Sequence, residues 1–307
     1  MKMFNKHSLQ KQIGDMASSK SKTLEHLKEV ERYFLKEVKK LPVDQDYDVL
    51  ANEPPWFRTM SYTEFAHCFM MYPLSPILKL RQIDEAFNDD VEIKLDYIKY
   101  FKDRIHNDVA NKYSHMKTKK IEPRDHLIIP VGSNKIKDTV CINKLKYIIN
   151  THGEEEVYLK PHPLTTHQIV GELRDMLGED VVLNRDDNLY SLLIDAEVVY
   201  TSHRSESILY AVALGKEVDC IDVYQKAHEG TFFNIANGIF ERNTNEKQKN
   251  FIQKAFNSAK SGVVNPELDE NWKDRVDEYL DYIMTIRQEY RYKYLWNESG
   301  TMEKKKT

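Results

Sequence analysis

Apolar residues along this chain fall into two rhythms. Between 157 and 222 they form short, β-branched runs: Val157-Tyr158-Leu159, Val181-Val182-Leu183, Glu197-Val198-Val199-Tyr200-Thr201 and Glu217-Val218-Asp219-Cys220-Ile221-Asp222. Each run is too short for a helix and reads as a buried strand. The stretches between them keep helical spacing. Ile169, Leu173, Met176 and Leu177 make one stripe, and Leu189, Leu192 and Leu193 a second. Ile208, Leu209, Val212 and Ala213 make a third, which Gly215 closes as a C-cap signal. Alternating strands and helices at this pitch predict βαβ units on a parallel sheet. An earlier apolar run, Leu127-Ile128-Ile129 in the segment from Asp125, and a helix over 140–150 with Ile142, Leu145, Ile148 and Ile149 extend the same pattern upstream.

The N-terminal third follows another pattern. Leu24, Leu27, Val30, Phe34, Leu35, Val38 and Leu41 predict an amphipathic helix over 21–41, stopped by Pro42. Val49-Leu50-Ala51 is its one clear strand. Residues 82–118 read as one or two long helices, with Phe87, Val91, Leu95, Ile98, Phe101, Ile105 and Val109 on one face. Lys117 to Lys120 and Pro123 mark a linker. Helices are predicted over 246–261 and 270–296. The expected class is α/β: a helix-rich N-terminal domain over 1–122, a Rossmann-like domain over 123–265, and a C-terminal helix over 266–307 packing back on the body.

Composition narrows the chemistry. With 307 residues, 41% apolar and 31% charged, the chain suits a globular protein of one large or two smaller domains. Only 10 glycines argue against a glycine-rich phosphate loop. Cys68, Cys141 and Cys220 are spaced too widely for a disulfide framework or a zinc motif and read as small core residues, as does His67. No apolar run is long enough for a membrane span and no signal-peptide core stands at the start, so a cytoplasmic setting is expected. A net charge of −4 gives no global pull toward nucleic acid, although a local basic groove is compatible with it.

Ligands of open α/β sheets bind beyond the carboxyl ends of the strands. Two polar clusters are expected there. Lys160-Pro161-His162-Pro163 follows one strand, and its prolines hold the imidazole rigidly where it can donate to a phosphate or carboxylate oxygen. The alternative is a proline-rich turn with an exposed histidine. Ser202-His203-Arg204-Ser205-Glu206-Ser207 follows the other, at a strand-to-helix junction. Hydroxyls, helix N-terminal amides and Arg204 there make an anion site, or the serines simply cap the helix. No glycine-flanked elbow supports a serine nucleophile. Asp46 and Asp48 precede their strand, where a metal-binding pair would follow it, so no metal is expected. Glu53, held by Pro54 and Pro55 beside Trp56, is a candidate general base or a solvated loop residue.

The order of these motifs, His-Pro after one strand, then Ser with Ser-Glu before the next helix, then Ala213-Leu214-Gly215-Lys216-Glu217-Val218, resembles the donor domain of GT-B-fold glycosyltransferases over 125–240. The groups most alike are bacterial sialyltransferases, capsule Kdo-transferases and polyglycerophosphate transferases. The resemblance implies that His162 contacts the donor phosphate; Lys160, which could pair with an acid instead, His203, Arg204 and Ser207 are further donor-site candidates by their place in the two clusters. It implies that Ser202, Ser205 and Glu206 line the nucleotide and ribose, and that Gly132, Ser133 and Asn134 form the loop after the domain's first strand. The expected activity is metal-independent transfer of a sugar from a UDP- or CMP-linked donor, with no other cofactor. The acceptor would be a hydroxyl of a glycan or of a hydroxymethylated DNA base, as in phage DNA glycosyltransferases. Glu53 and Asp48 are the candidate catalytic carboxylates, chosen by position. The short, helix-rich N-terminal third departs from the family's full acceptor half. A non-catalytic nucleotide-binding protein and a nucleotide-sugar epimerase are the competing expectations.

Overall fold

The computed structural model describes residues 22–38, 40–41, 57–61, 68–73, 76–106, 121–130, 136, 140–163, 165–223, 231–296 and 302–304. Glu53, Asp48, Gly132, Ser133, Asn134, the strand expected at 49–51 and the linker at 117–120 lie outside them. The chain forms two compact units, one of residues 1–95 with 254–307 and one of residues 96–253. The reading from sequence put the boundaries at 122/123 and 265/266.

The second unit is the α/β body. Its strands are β3 (His126–Ile129), β4 (Val157–Leu159), β5 (Val198–Thr201) and β6 (Glu217–Cys220). All pair in parallel, in the spatial order β4-β3-β5-β6. Leu127, Ile128 and Ile129 of the inner strand are buried, as expected where helices cover both faces. The expected strand at 181–183 is reduced to a single bridge, Val182 to Leu159. Its backbone still brackets Leu159, whose amide donates to the Val181 carbonyl and whose carbonyl accepts from the Leu183 amide.

The helices α4 (Ile142–His152), α5 (His167–Leu177), α6 (Leu189–Asp195) and α7 (Ser207–Leu214) follow the predicted stripes. On α5 the buried face is Val170, Leu173 and Leu177, while Ile169 and Met176 are half-buried, so the stripe is turned by one position. Thr166 caps α5, its hydroxyl accepting from the Ile169 amide at 3.4 Å. Every residue of α7 from Ser207 to Ala213 is buried. One reason is a second covering helix, α3 (Tyr97–His106), which sets Phe101 edge-on against Tyr210 at 5.9 Å. Gly215 ends α7 at φ +87°, ψ +13°, the left-handed position expected of it.

The first unit holds an antiparallel sheet that the sequence reading missed: β1 (Phe57–Ser61), β2 (Phe69–Pro73) and β7 (Val263–Val264), in the order β1-β2-β7. Its core joins Leu27, Val30 and Phe34 of α1 (Lys22–Val38) to Phe69, Met71 and Val264 and to Val276, Tyr279 and Ile283 of α10 (Trp272–Lys293). The single helical face expected over 87–109 is broken. α2 (Pro76–Asn88) ends at Asn88, and the Lys94 and Leu95 amides donate to Asn257 Oδ1, the amide oxygen of the last residue of α9 (Asn245–Asn257). Those donors are lost to a helical ladder, and α3 starts afresh at Tyr97.

Candidate functional site

The spatial order β4-β3-β5-β6 reverses direction at β3. Chain continuation to β4 goes to one side, and the next strand, β5, returns on the other. In sheets of this kind the ligand crevice opens at that reversal, outside the carboxyl ends of the strands. The described residues there are Pro130 after β3, Lys160 to Pro163 after β4, Ser202 to Glu206 after β5 and Ile221-Asp222 after β6. Both clusters chosen from sequence therefore sit on the carboxyl edge of one sheet, with β3 between their strands.

The loop after β4 carries the prolines and the turn. Two prolines flank His162, and the Thr165 amide donates to the His162 carbonyl at 2.9 Å, closing a turn. His162 is half-buried. Lys160 points inward: only 2% exposed, its ammonium donates to the carbonyls of Pro161 at 2.7 Å and Arg185 at 2.8 Å. Burial lowers its pKa to about 8, against the pull of Asp187 and Asp186. The Arg185 guanidinium donates to the Thr165 carbonyl at 3.0 Å, which ties this loop to the next one.

The loop after β5 is a hydrogen-bonded unit. Ser202 Oγ donates to Asp222 Oδ2 at 2.8 Å, and the His203 amide donates to the same oxygen at 2.8 Å. The Arg204 amide donates to Ser202 Oγ at 3.1 Å, and the Ser205 amide to the Ser202 carbonyl at 3.0 Å. Ser205 Oγ lies 2.6 Å from Ser207 Oγ, which lies 3.0 Å from Thr201 Oγ1. At the start of α7 the Ser207 amide donates to Ser205 Oγ, the Ile208 amide to the Ser205 carbonyl and the Leu209 amide to the Glu206 carbonyl. The helix amides expected to be free for an anion are thus spent within the turn, and Glu206 at the N-cap makes no side-chain cap bond. Ser202, Glu206 and Ser207 are buried, His203 and Ser205 half-buried, and Arg204 exposed.

His203 anchors the loop from its other side. Nδ1 lies 3.1 Å from Asp222 Oδ2 and 3.3 Å from Cys220 Sγ, and Nε2 lies 3.3 Å from Asn237 Oδ1. The ring stacks on Phe233 at 4.7 Å and meets the edge of Phe240 at 4.8 Å, both from α8 (Thr231–Phe240). Burial by itself would lower the pKa of His203, but the hydrogen bonds to Asp222 and Cys220 overcome it and raise the value to about 9. Cys220, expected as a small core residue, is half-buried with its sulfur 3.3 Å from the imidazole Nδ1. Asp222, Asn237 and Phe233 were not foreseen. The legible signal was the run Asp219-Cys220-Ile221-Asp222, polar residues at the carboxyl end of a strand that reads as part of the sheet.

Compared with known protein families, with curated proteins and with solved structures, the chain matches none. Among the described residues no helix is long and apolar enough to cross a membrane.

Proposed function

We propose that the second unit binds the nucleotide end of an activated donor, and that the protein is a nucleotide-sugar-dependent glycosyltransferase of GT-B-like architecture. The observation that carries the reading is the strand order: a parallel sheet that reverses direction at β3, with two polar loops standing at the carboxyl ends of β4 and β5. In this reading His162, held half-buried on its proline turn, donates to the donor phosphate. Arg204, exposed on a turn whose backbone is already satisfied, supplies a bidentate guanidinium to the same group. Both favour the leaving phosphate, whose negative charge grows as the glycosidic bond breaks. Lys160, Ser202 and His203 act one step back, by fixing the loops. The acceptor is a hydroxyl of a glycan or of a hydroxymethylated DNA base. Steep weakening of binding with salt would mark the DNA acceptor, because DNA binding releases condensed counterions.

The test is thermal unfolding of the wild type and of His162→Ala with UDP, CMP, CDP, GDP and ADP. A nucleotide at about 100 times its dissociation constant adds about 2.7 kcal/mol to stability. One nucleotide that stabilises the wild type and loses most of that effect in His162→Ala supports the donor site and identifies the base. Stabilisation by none of them overturns it.

A further inference from the structure

We infer that His203, Cys220 and Asp222 form a binding site for one zinc ion at the carboxyl edge of the sheet, independent of the nucleotide reading. A nitrogen, a sulfur and an oxygen, the ligand set zinc favours, all lie within 4.8 Å of one another. Nδ1 to Oδ2 is 3.1 Å and Nδ1 to Sγ is 3.3 Å. Zinc bonds of about 2.0–2.3 Å set tetrahedral edges of about 3.3–3.6 Å, close to the two distances made by Nδ1.

Asn237 Nδ2 donates to Glu241 Oε1 at 2.7 Å, which turns Asn237 Oδ1 toward His203. An acceptor at 3.3 Å from Nε2 places a proton on Nε2 and leaves Nδ1 as the ligating nitrogen. Nδ1 then faces both Cys220 Sγ and Asp222 Oδ2. One cation in place of the Nδ1 proton would bridge all three atoms.

The surroundings are those of a metal-bound imidazole. Its second nitrogen is held by an outer carbonyl oxygen, as ligating histidines are. The stacked Phe233 and the edge of Phe240 fix the ring plane. Asp222 is 2% exposed at its side chain, Ser202 Oγ and the His203 amide orient its Oδ2, and its Oδ1 is buried with no hydrogen-bond partner among the described residues. Loading an ion displaces the protons held by Nδ1 and by the Cys220 thiol, while the carboxylate coordinates directly. Three protein ligands leave a fourth position for water or a ligand atom.

Cobalt(II) added to the untagged, chelator-stripped full-length protein tests the site. The expected result is saturation at one equivalent. A thiolate-to-cobalt charge-transfer band should appear with intense tetrahedral visible bands, and zinc should displace both. Cys220→Ser should abolish the charge-transfer band, and Asn237→Ala should weaken zinc by about tenfold or more through the outer hydrogen bond. Cys141→Ser, whose backbone amide bonds the Ile221 carbonyl next door, should keep the band and the affinity. A wild type with no charge-transfer band at one equivalent overturns the inference. So does a band that survives Cys220→Ser or disappears in Cys141→Ser. The wild-type titration decides even if one variant fails to fold.

Discussion

The loops after β4 and β5 carry similar polar residues at one edge of one sheet, and they use them in opposite ways. The first buries a cation: Lys160 turns inward and its ammonium holds two backbone carbonyls. The second buries an anion: the Asp222 carboxylate gathers the Ser202 hydroxyl and the amide and ring of His203. In each case the buried charge staples the loop, and a neighbour, half-buried His162 or exposed Arg204, is the group nearer solvent. Buried backbone and side-chain polar groups must be satisfied before any ligand arrives. A polar residue at a strand end therefore shows which chemistry is at hand, and the fold decides how much of it is already committed.

The comparison can be broken most sharply at Asp222. Asp222→Ala in the metal-free protein leaves a buried hydroxyl and amide without their acceptor and removes the carboxylate facing His203. Denaturant unfolding is expected to show a loss of about 3 kcal/mol. A loss below about 1 kcal/mol would mean that the second loop has no ionic staple.

Lys160→Met should cost about 2 kcal/mol at pH 7 by leaving two carbonyls without a donor. A gain in stability would show instead that desolvation of the ammonium outweighs its bonds. The same variant carries a pH signature. Folded Lys160 titrates near 8, against 10.5 in the unfolded chain. Between those values the unfolded state holds a proton that the folded state has released, so this residue makes stability rise as pH rises through the window. The rise is at most about 3 kcal/mol and is absent below pH 8. The difference between wild-type and Lys160→Met stability curves isolates it, and a flat difference from pH 8 to 10.5 would refute the buried-cation account.

Ser205→Ala removes the hydroxyl that accepts from the Ser207 amide and meets Ser207 Oγ, for an expected loss of about 1 kcal/mol in thermal unfolding. Arg204→Ala should change stability by no more than about 0.5 kcal/mol, as an exposed side chain does. If the proposed donor site holds, it should nevertheless reduce stabilisation by the cognate nucleotide. That split between unchanged stability and weakened ligand response separates the ligand-facing residues from the staples.

Much of the second unit was legible before any coordinates. Short β-branched runs alternating with three/four stripes predicted β3 to β6 and α4 to α7, because strand and helix bury different periodicities. The first unit was less legible. Its strands β1, β2 and β7 are short and are joined across a long sequence separation, Phe69 pairing with Val264, and no local pattern announces such a partner. The break between α2 and α3 was missed for the same reason, since the residue that takes the Lys94 and Leu95 amides is the distant Asn257.

By itself the sequence determined the parallel α/β character of the second unit, the placing of two polar loops at strand ends and the Gly215 stop, all from local periodicity and backbone preference. Only the tertiary structure decided the strand order that puts the reversal at β3. It alone decided that Lys160 faces inward, and that His203 meets Cys220 and Asp222 from 17 and 19 residues away. Residues far apart in the chain become ligands of one point only when parallel pairing sets the ends of β5 and β6 side by side.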